Sequence, residues 1–147
     1  MNPIYANKYI SIIYRYGQRY FSARLRGSII ETAHLPFLLV LYRTPGISQE
    51  TLTRDIGFDK GTTARCVAQL EELNLITRTR HPSDLRINLV WPTENALALK
   101  DELLSVVKDL QDILCKGLSD QQKNDAIDLL NLMTENIKCH FSELDLK

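Results

Sequence analysis

The sequence predicts a mainly α-helical protein with a small β-hairpin wing: a winged helix-turn-helix with N- and C-terminal dimerisation helices. Apolar residues recur at helical spacing near both ends of the chain, as they do in amphipathic helices. Two short helical segments stand close together in the middle, and two alternating segments separated by turn residues follow them directly. The length of 147 residues matches one compact domain.

Two helices are predicted at the N-terminal end. Apolar residues recur at helical spacing from Ile4 to Phe21, and many of them are Tyr. A buried Tyr needs a hydrogen-bond partner, so this helix is expected at an interface or a pocket rim. We predict a loop over Ser22–Ser28 and a second helix over Ile30–Tyr42. Its regular part should begin near Pro36, because proline is tolerated only in a first turn.

The middle of the chain predicts a helix-turn-helix. Ser48 is the expected N-cap of a short helix that ends at Gly57, and Asp59 is the expected N-cap of a second helix. The second helix should run to about Leu73, with Asn74 at its C-terminal end. The residues expected to be buried in it are Ala64, Val67, Ala68 and Leu70.

A β-hairpin is predicted immediately after the second helix. Residues 76–80 alternate apolar or β-branched with basic residues, residues 81–84 have turn chemistry, and residues 85–91 alternate again. A hairpin that follows a helix-turn-helix predicts a winged helix.

Two further helices are predicted at the C-terminal end. Thr93 should cap a helix that runs to about Cys115, and Ser119-Asp120-Gln121-Gln122 matches a capping box before the final helix. The terminal helices carry more apolar surface than the short central segment can cover. We therefore expect a second copy of the chain to complete a dimer core; an intramolecular three-helix bundle is the alternative.

Composition, targeting signals and catalytic motifs indicate which classes of protein are not expected. No apolar run approaches the roughly 18 residues of a membrane span, and the N-terminus lacks a basic stretch followed by an apolar one. We expect a cytoplasmic protein with no membrane partner. The sequence contains no GxSxG, GxGxxG, P-loop or HExxH motif, so an enzyme is not expected.

The formal net charge is zero, but it is unevenly distributed. Residues 1–42 hold five Lys or Arg against Glu31 alone, whereas residues 92–147 hold six Lys against eleven Asp or Glu. This asymmetry indicates a basic side that meets an anion. A solvated surface with no partner is the alternative.

The cysteines and histidines do not form a site pattern. Three Cys and three His are scattered, without a CxxC pair or metal-ligand spacing. An odd number of Cys also argues against a disulfide framework. We therefore expect no metal and no cofactor.

The central motifs resemble those of the MarR family of winged-helix transcriptional regulators. The motifs are Pro45-Gly46-Ile47-Ser48-Gln49-Glu50-Thr51-Leu52, Asp59-Lys60-Gly61-Thr62-Thr63-Ala64-Arg65, Leu70-Glu71-Glu72-Leu73-Asn74-Leu75-Ile76 and Asp84-Leu85-Arg86. The likeness covers nearly the whole chain by element order and is motif-specific over residues 45–94. It implies a homodimer on a palindromic operator, often released by small aromatic or phenolic ligands held between the dimerisation and DNA-binding parts.

Some positions depart from the family pattern. His81 stands where Asp is common, Asn74 replaces a Gly, and Trp91-Pro92-Thr93-Glu94-Asn95-Ala96 replaces the usual Leu-Thr-x-Lys-Gly. Members that sense organic peroxides keep a reactive Cys in the first helix. This chain has Tyr and Ile there, which disfavours peroxide sensing by that route.

The second helix of the motif is expected to enter the major groove of double-stranded DNA. Arg65 suits a bidentate contact to guanine, Lys60 suits a phosphate, and Gly61 allows close approach of the backbone. The full predicted set from the two helices is Ser48, Gln49, Lys60, Gly61, Thr62, Thr63, Arg65 and Gln69. The alternative for Arg65 is an ordinary pair with Glu72 or contact with solvent.

The predicted wing also carries cations. A basic hairpin beside a recognition helix lies over the phosphates and the minor groove. The wing residues predicted to act at DNA are Arg78, Arg80, His81, Asp84 and Arg86. By resemblance, Asp84 orients an arginine and Arg86 contacts DNA or stabilises the wing. A purely structural salt bridge between them is the alternative.

A ligand crevice is predicted from the aromatic residues of the first helix. Arg binds a carboxylate and Tyr rings stack on an aromatic ring. The residues in question are Tyr9, Arg15, Tyr16, Tyr20 and His34. The alternative, Tyr packing at the dimer seam, is favoured over an effector site for an anionic aromatic molecule.

Together these features predict a sequence-specific transcriptional regulator, expected to be a repressor, that acts as a homodimer on a palindromic operator. Residues 1–30 and 93–147 form the predicted helical dimerisation region, and residues 31–92 the winged helix-turn-helix DNA-binding region, in one compact unit. The alternative function is a winged-helix protein-interaction module without DNA binding.

Overall fold

The computed structural model describes residues 4–145 and is mainly helical. Its elements are α1 (Ala6–Arg24), a 3-10 turn (Thr32–His34), α2 (Leu35–Arg43), β1 (Ile47–Ser48), α3 (Gln49–Ile56), α4 (Lys60–Glu72), β2 (Ile76–His81), β3 (Asp84–Pro92), α5 (Glu94–Ala98), α6 (Lys100–Leu114) and α7 (Asp120–Asp145). The chain forms two compact units, residues 1–110 and residues 111–147. None of the described helices is long and apolar enough to cross a membrane.

Helix α1 is longer than the sequence predicted. It runs to Arg24, so the expected loop from Ser22 is wrong in its first three residues. The extension is held by Arg24, which donates to Asp109 of α6 at 2.8 Å and also to Tyr20. Both side chains of the Arg24–Asp109 pair are partly exposed, so the pair adds little stability.

Helix α2 begins where proline allows it to begin. Pro36 lies in its first turn, and the 3-10 turn precedes it. The prediction that the regular helix starts close to Pro36 is confirmed. The side chains of Phe37, Leu38 and Leu41 are fully buried, so this short helix forms the centre of the core.

The predicted helix caps of the helix-turn-helix are present. Ser48 Oγ accepts from the Thr51 amide at 3.1 Å at the start of α3, and Gly57 ends that helix with a φ of 84°. Asp59 Oδ1 accepts from the Thr62 amide at 2.7 Å at the start of α4. These caps fix the boundaries of both helices.

A three-stranded antiparallel sheet, in the order β1-β3-β2, forms the wing and its base. The hairpin of β2 and β3 is as predicted, with a bulge between Arg80 and His81. Strand β1 is not predicted by the sequence, because two residues are too few for an alternating pattern. It pairs Ile47 with Val90, which attaches the wing to the loop before α3.

The single helix predicted from Thr93 is divided in two. Thr93 caps α5 as expected, since its Oγ accepts from the Ala96 amide at 3.3 Å. The Leu99 amide then donates to the Ala96 carbonyl rather than to the residue four back, and the same carbonyl accepts the Tyr42 hydroxyl at 2.7 Å. This tight turn at Leu99 separates α5 from α6.

The final helix begins at the predicted capping box. Ser119 Oγ accepts from the Gln122 amide at 3.2 Å, and Gln122 Oε1 accepts from the Ser119 amide at 2.9 Å. Helix α7 has no fully buried residue among those described. Its apolar stripe is exposed in the single chain and consists of Ile127, Leu130, Met133, Ile137 and Phe141.

The core of the first unit joins the helix-turn-helix to its flanking helices. Leu52 of α3, Leu70 of α4 and Val90 of β3 have no exposed surface. Within the recognition helix one burial prediction is wrong: Ala64 is exposed and its neighbour Thr63 is fully buried. The division into a dimerisation region (1–30 and 93–147) and a DNA-binding region (31–92) stays a prediction.

Candidate nucleic-acid interface

The first turn of α4 is exposed and carries Lys60, one of the cations predicted to contact DNA. Lys60, Gly61 and Arg65 are all exposed. Asp59 caps this turn with both oxygens, since Oδ2 also accepts from Thr62 Oγ1 at 3.0 Å. These hydrogen bonds, first of all the one from the Thr62 amide, lower the pKa of the Asp59 carboxyl. The turn is therefore rigid, and the Lys60 side chain remains exposed on it.

Arg65 extends from the second turn of α4 and is exposed. Its Nη2 donates to Thr62 Oγ1 at 3.2 Å. The alternative of an Arg65–Glu72 ion pair does not occur within the described part of the chain. The guanidinium is thus held near the helix N-terminus, where its charge also lowers the pKa of the Asp59 carboxyl.

Three predicted contact residues of the helix-turn-helix are buried or half-buried. Thr63 has no exposed surface, so it cannot reach DNA and its prediction is wrong. Its Oγ1 has no hydrogen-bond partner within the described structure, and neither has the buried Oε1 of Gln49. Ser48 uses its hydroxyl for the N-cap of α3, and for Ser48 and Gln49 a DNA contact stays a prediction.

Gln69 lies one turn after Arg65 and is connected to the 3-10 turn. Its Oε1 is 2.9 Å from Nε2 of His34, and Nδ1 of His34 accepts from the Glu31 amide at 3.1 Å. His34 is 3% exposed. Both of its ring nitrogens are therefore occupied inside the fold, and the prediction that His34 lines a ligand crevice is wrong.

Arg78 attaches the wing to the recognition helix. Its Nε and Nη2 donate to the two oxygens of Glu71 at 3.1 and 2.9 Å, a bidentate geometry that fixes the guanidinium. The pair lowers the pKa of Glu71 and raises that of Arg78. Arg78 therefore positions the wing, while its predicted DNA contact stays untested.

Arg86 is the exposed cation of the wing. Asp84 receives its Nε at 3.1 Å, its Nη2 at 3.0 Å and its backbone amide at 3.0 Å. The side chain of Arg86 is still 90% exposed. These bonds lower the pKa of Asp84 and raise that of Arg86. Asp84 orients Arg86 in the structure, as the resemblance implied.

The turn of the wing is fixed by two further predicted residues. Arg80 Nη1 donates to the Leu85 carbonyl at 2.7 Å, and His81 Nδ1 accepts from the Ser83 amide at 3.0 Å. Both contacts close the tip of the hairpin. The wing thus holds Arg86 on a rigid support.

The predicted ligand residues of α1 do not enclose a crevice in the described chain. Tyr9, Arg15 and Tyr16 are exposed, and Tyr20 is half-buried. An open cleft of about 570 Å³ lies instead at the end of α1, lined by Gln18, Ser22, Glu31 and other residues up to Ala33. None of the five predicted residues lines this cleft.

The described residues contain no group of His, Cys, Asp and Glu that could hold a metal ion. Cys66 is buried in α4, and burial raises the pKa of its thiol. A thiol with a raised pKa is a weak nucleophile at neutral pH.

Sequence reasoning missed the contacts that join distant segments. Glu71 and Trp91 were not assigned roles, yet Glu71 holds Arg78 and Trp91 packs against Gly46. A Glu on an exposed helix face carries no signal of its partner. Only the opposite charges of Glu71 and Arg78 indicated that the two side chains could pair.

The fold and the site define a class: a winged-helix transcription regulator, with an exposed basic turn on the second helix of a helix-turn-helix and an oriented arginine on the wing. A family model described as the MarR family matches residues 32–87. A MarR transcriptional regulator from Methanosarcina mazei Go1 is 35% identical, with a TM-score of 0.81 over 88% of this chain and 94% of that one. The chain belongs to the MarR family, as its motifs indicated.

Curated relatives agree with this assignment. An uncharacterised HTH-type transcriptional regulator, YdgJ of Bacillus subtilis (strain 168), is 28% identical over 74% of this chain, which spans 66% of that protein. The HTH-type transcriptional regulator BilQ of Clostridium symbiosum (strain WAL-14163) is 25% identical over 80% of this chain and 82% of its own length.

Proposed function

We propose that this regulator binds double-stranded DNA as a homodimer and represses transcription at a palindromic operator. The observation that carries the proposal is the pairing of an exposed basic turn, Lys60 to Arg65, with an outward Arg86 held by Asp84. Helix α4 enters the major groove, where Arg65 binds a guanine edge and Lys60 a phosphate. The wing lies over the adjacent phosphates.

The dimer is supported by apolar faces that are exposed in the single chain. On α1 these include Tyr9, Ile13 and Tyr16, and on α7 they include Leu130 and Ile137. Monomers seldom leave such large apolar faces in water. We assign residues 1–30 and 93–147 to the dimer core and residues 31–92 to DNA binding.

The dimer is tested by mass. Light scattering near micromolar concentration should give about twice the 16.9 kDa chain mass. Leu130→Asp should lower the mass towards one chain, because it places a charge in the proposed dimer core. Leu85→Asp, an exposed leucine of the wing, is the matched control and should remain dimeric. A clean wild-type monomer that still binds DNA contradicts this architecture.

DNA binding is tested by fluorescence anisotropy on a promoter fragment of the protein's own gene and on a scrambled duplex. Wild type should prefer the promoter, and its affinity should fall steeply with salt. Lys60→Glu should weaken binding to both duplexes. Lys116→Glu, an equal charge change at an exposed residue outside 31–92, should have little effect. Binding to neither duplex at low salt would favour the protein-interaction module instead.

We extend the proposal to release by a small aromatic molecule. Support comes from the resemblance to the MarR family, whose members are often released by such ligands, and from the exposed Arg15 of α1, a cation that suits a carboxylate. Benzoate and phenol should raise the Tm of the free protein and lower its affinity for the promoter. If benzoate and phenol produce neither effect at millimolar concentration, the effector is removed from the proposal.

A further inference from the structure

His34 and Glu31 form a reciprocal cap at the 3-10 turn. The backbone amide of His34 donates to the Glu31 carbonyl at 3.0 Å, while the His34 side chain accepts from the backbone amide of Glu31. The second bond joins Glu31 N to His34 Nδ1 at 3.1 Å. A backbone amide can only donate, so Nδ1 must be unprotonated.

This cap fixes the protonation of the other ring nitrogen. A neutral imidazole with a bare Nδ1 carries its proton on Nε2. Nε2 lies 2.9 Å from the side chain of Gln69 in α4 and must donate to it. The accepting atom of the amide is then its oxygen, which turns the NH₂ group of Gln69 away from His34.

From this geometry we propose that His34 is a positioning residue that makes Gln69 a hydrogen-bond donor to DNA. The inference rests on the proposed function, in which α4 lies in the major groove. Gln69 is exposed one turn after Arg65, and within the described residues nothing accepts from its NH₂ group. An unrestrained Gln binds adenine through both amide atoms, whereas a donor alone suits the N7 and O6 acceptors of guanine.

The proposal predicts that His34, which lies outside α4, controls which base Gln69 of α4 prefers. Wild type should favour guanine over adenine at one position of each half-site. His34→Asn keeps an acceptor for the Glu31 amide but removes the Nε2 donor, so the Gln69 amide can rotate. The guanine preference should then fall by about three- to tenfold, the value of one hydrogen bond.

A double-mutant cycle separates positioning from general stability. His34→Asn should change the base preference in the wild-type background and have no effect on it in Gln69→Ala. Equal effects in both backgrounds overturn the inference alone. A wild-type protein that binds no duplex overturns the proposed function, and with it this role of Gln69.

Two readouts remain if His34→Asn does not fold. Long-range ¹H–¹⁵N spectra of the free wild-type protein should find the His34 proton on Nε2; a proton on Nδ1 would overturn the inference. Gln69→Glu keeps an acceptor for His34 but removes the donor, and should reduce binding to guanine sites more than to adenine sites. Ala64→Glu, an equal charge on the same helix, should reduce both alike.

The acceptor on DNA is identified by chemical substitution. Replacing the guanine with 2-aminopurine, which keeps N7 but lacks O6, should remove the wild-type preference if the acceptor is the guanine edge. If the acceptor is a phosphate, the preference is absent in wild type and Gln69→Ala weakens all duplexes equally. That second result overturns the assignment to a base.

Discussion

The Trp91 indole covers Gly46 at the base of the wing. A Cβ added to Gly46 would fall 2.6 Å from the Cη2 atom of the ring, closer than any real contact allows. The backbone of Gly46 also has a φ of 80°, and its amide donates to the Val90 carbonyl at 2.9 Å. Trp91 Nε1 in turn donates to Thr79 Oγ1 at 2.9 Å, so one tryptophan joins the wing to the turn before α3.

Gly46→Ala should therefore destabilise the protein. A positive φ costs a non-glycine residue about 1–2 kcal/mol, and the forced shift of the indole adds about 1–3 kcal/mol. Gly27→Ala is the matched control, because Gly27 has a φ of 82° but no atom within 4 Å of the added Cβ. Urea unfolding measures both variants. Equal midpoints would mean that Trp91 can move without cost.

Arg86→Ala should weaken binding to operator and unrelated DNA by similar factors. The exposed guanidinium is expected to contact a phosphate, so the slope of log affinity against log salt should flatten by roughly one unit per lost contact, doubled in a dimer. Lys116→Ala is the control, because Lys116 is an exposed cation outside residues 31–92. A salt titration that finds Arg86→Ala unchanged would exclude a DNA contact by the wing.

Arg65→Ala should change specificity more than Arg86→Ala does. Loss of a bidentate contact to guanine costs about 1–3 kcal/mol on the cognate operator and relaxes base preference at one position of each half-site. The measurement is competition binding with singly substituted operators. A uniform loss on all duplexes would assign Arg65 to a phosphate instead.

Tyr42→Phe should alter stability at alkaline pH. Burial raises the pKa of Tyr42 to about 12 from 10.0, so the unfolded chain ionises first. The free energy of unfolding contributed by this phenol is complete below pH 10 and is lost as pH rises towards 12. Tyr42→Phe should not show this alkaline loss of stability. At neutral pH the variant should have a free energy of unfolding about 1 kcal/mol lower, because it lacks the hydrogen bond to the Ala96 carbonyl.

The control for Tyr42 is Tyr14→Phe, since Tyr14 is 60% exposed. Urea unfolding at several pH values between 8 and 12 would compare the two variants with wild type. An unchanged alkaline slope in Tyr42→Phe would show that another group titrates there.

Cys66 should resist alkylation in the folded protein. Its side chain is buried, and its raised pKa leaves little thiolate at neutral pH. Iodoacetamide followed by peptide mapping should modify Cys66 only when urea is added. Rapid modification without urea would identify a reactive thiol in the recognition helix.

Local chemistry explains what could be predicted. An N-cap joins a side chain to an amide three residues away, so Ser48, Asp59, Thr93 and Ser119 can be identified from short motifs alone. The hairpin follows from alternation and turn residues in the same way. Strand β1 and the break at Leu99 could not be predicted, because each depends on a distant segment: β3 for the strand and Tyr42 for the break.

The candidate site was only partly predictable. Helical periodicity places Thr63 and Arg65 on different faces of α4, but it does not say which face packs against the core. Its apolar character predicts that Ala64 is buried, whereas the structure exposes Ala64 and buries Thr63. Adjacent residues on a helix are about 100° apart, so which of the two is buried depends on how the helix is rotated about its axis when it packs against the core.

The sequence by itself determined the order of the main helices and the hairpin, the helix caps and the family, because these depend on residues close together along the chain. Only the tertiary structure decided which polar side chains remain available. Gln69 is bound by His34, 35 positions earlier, and Arg78 by Glu71 on the neighbouring helix. The physical reason is that hydrogen bonds between elements depend on how those elements pack, and packing is a property of the whole core.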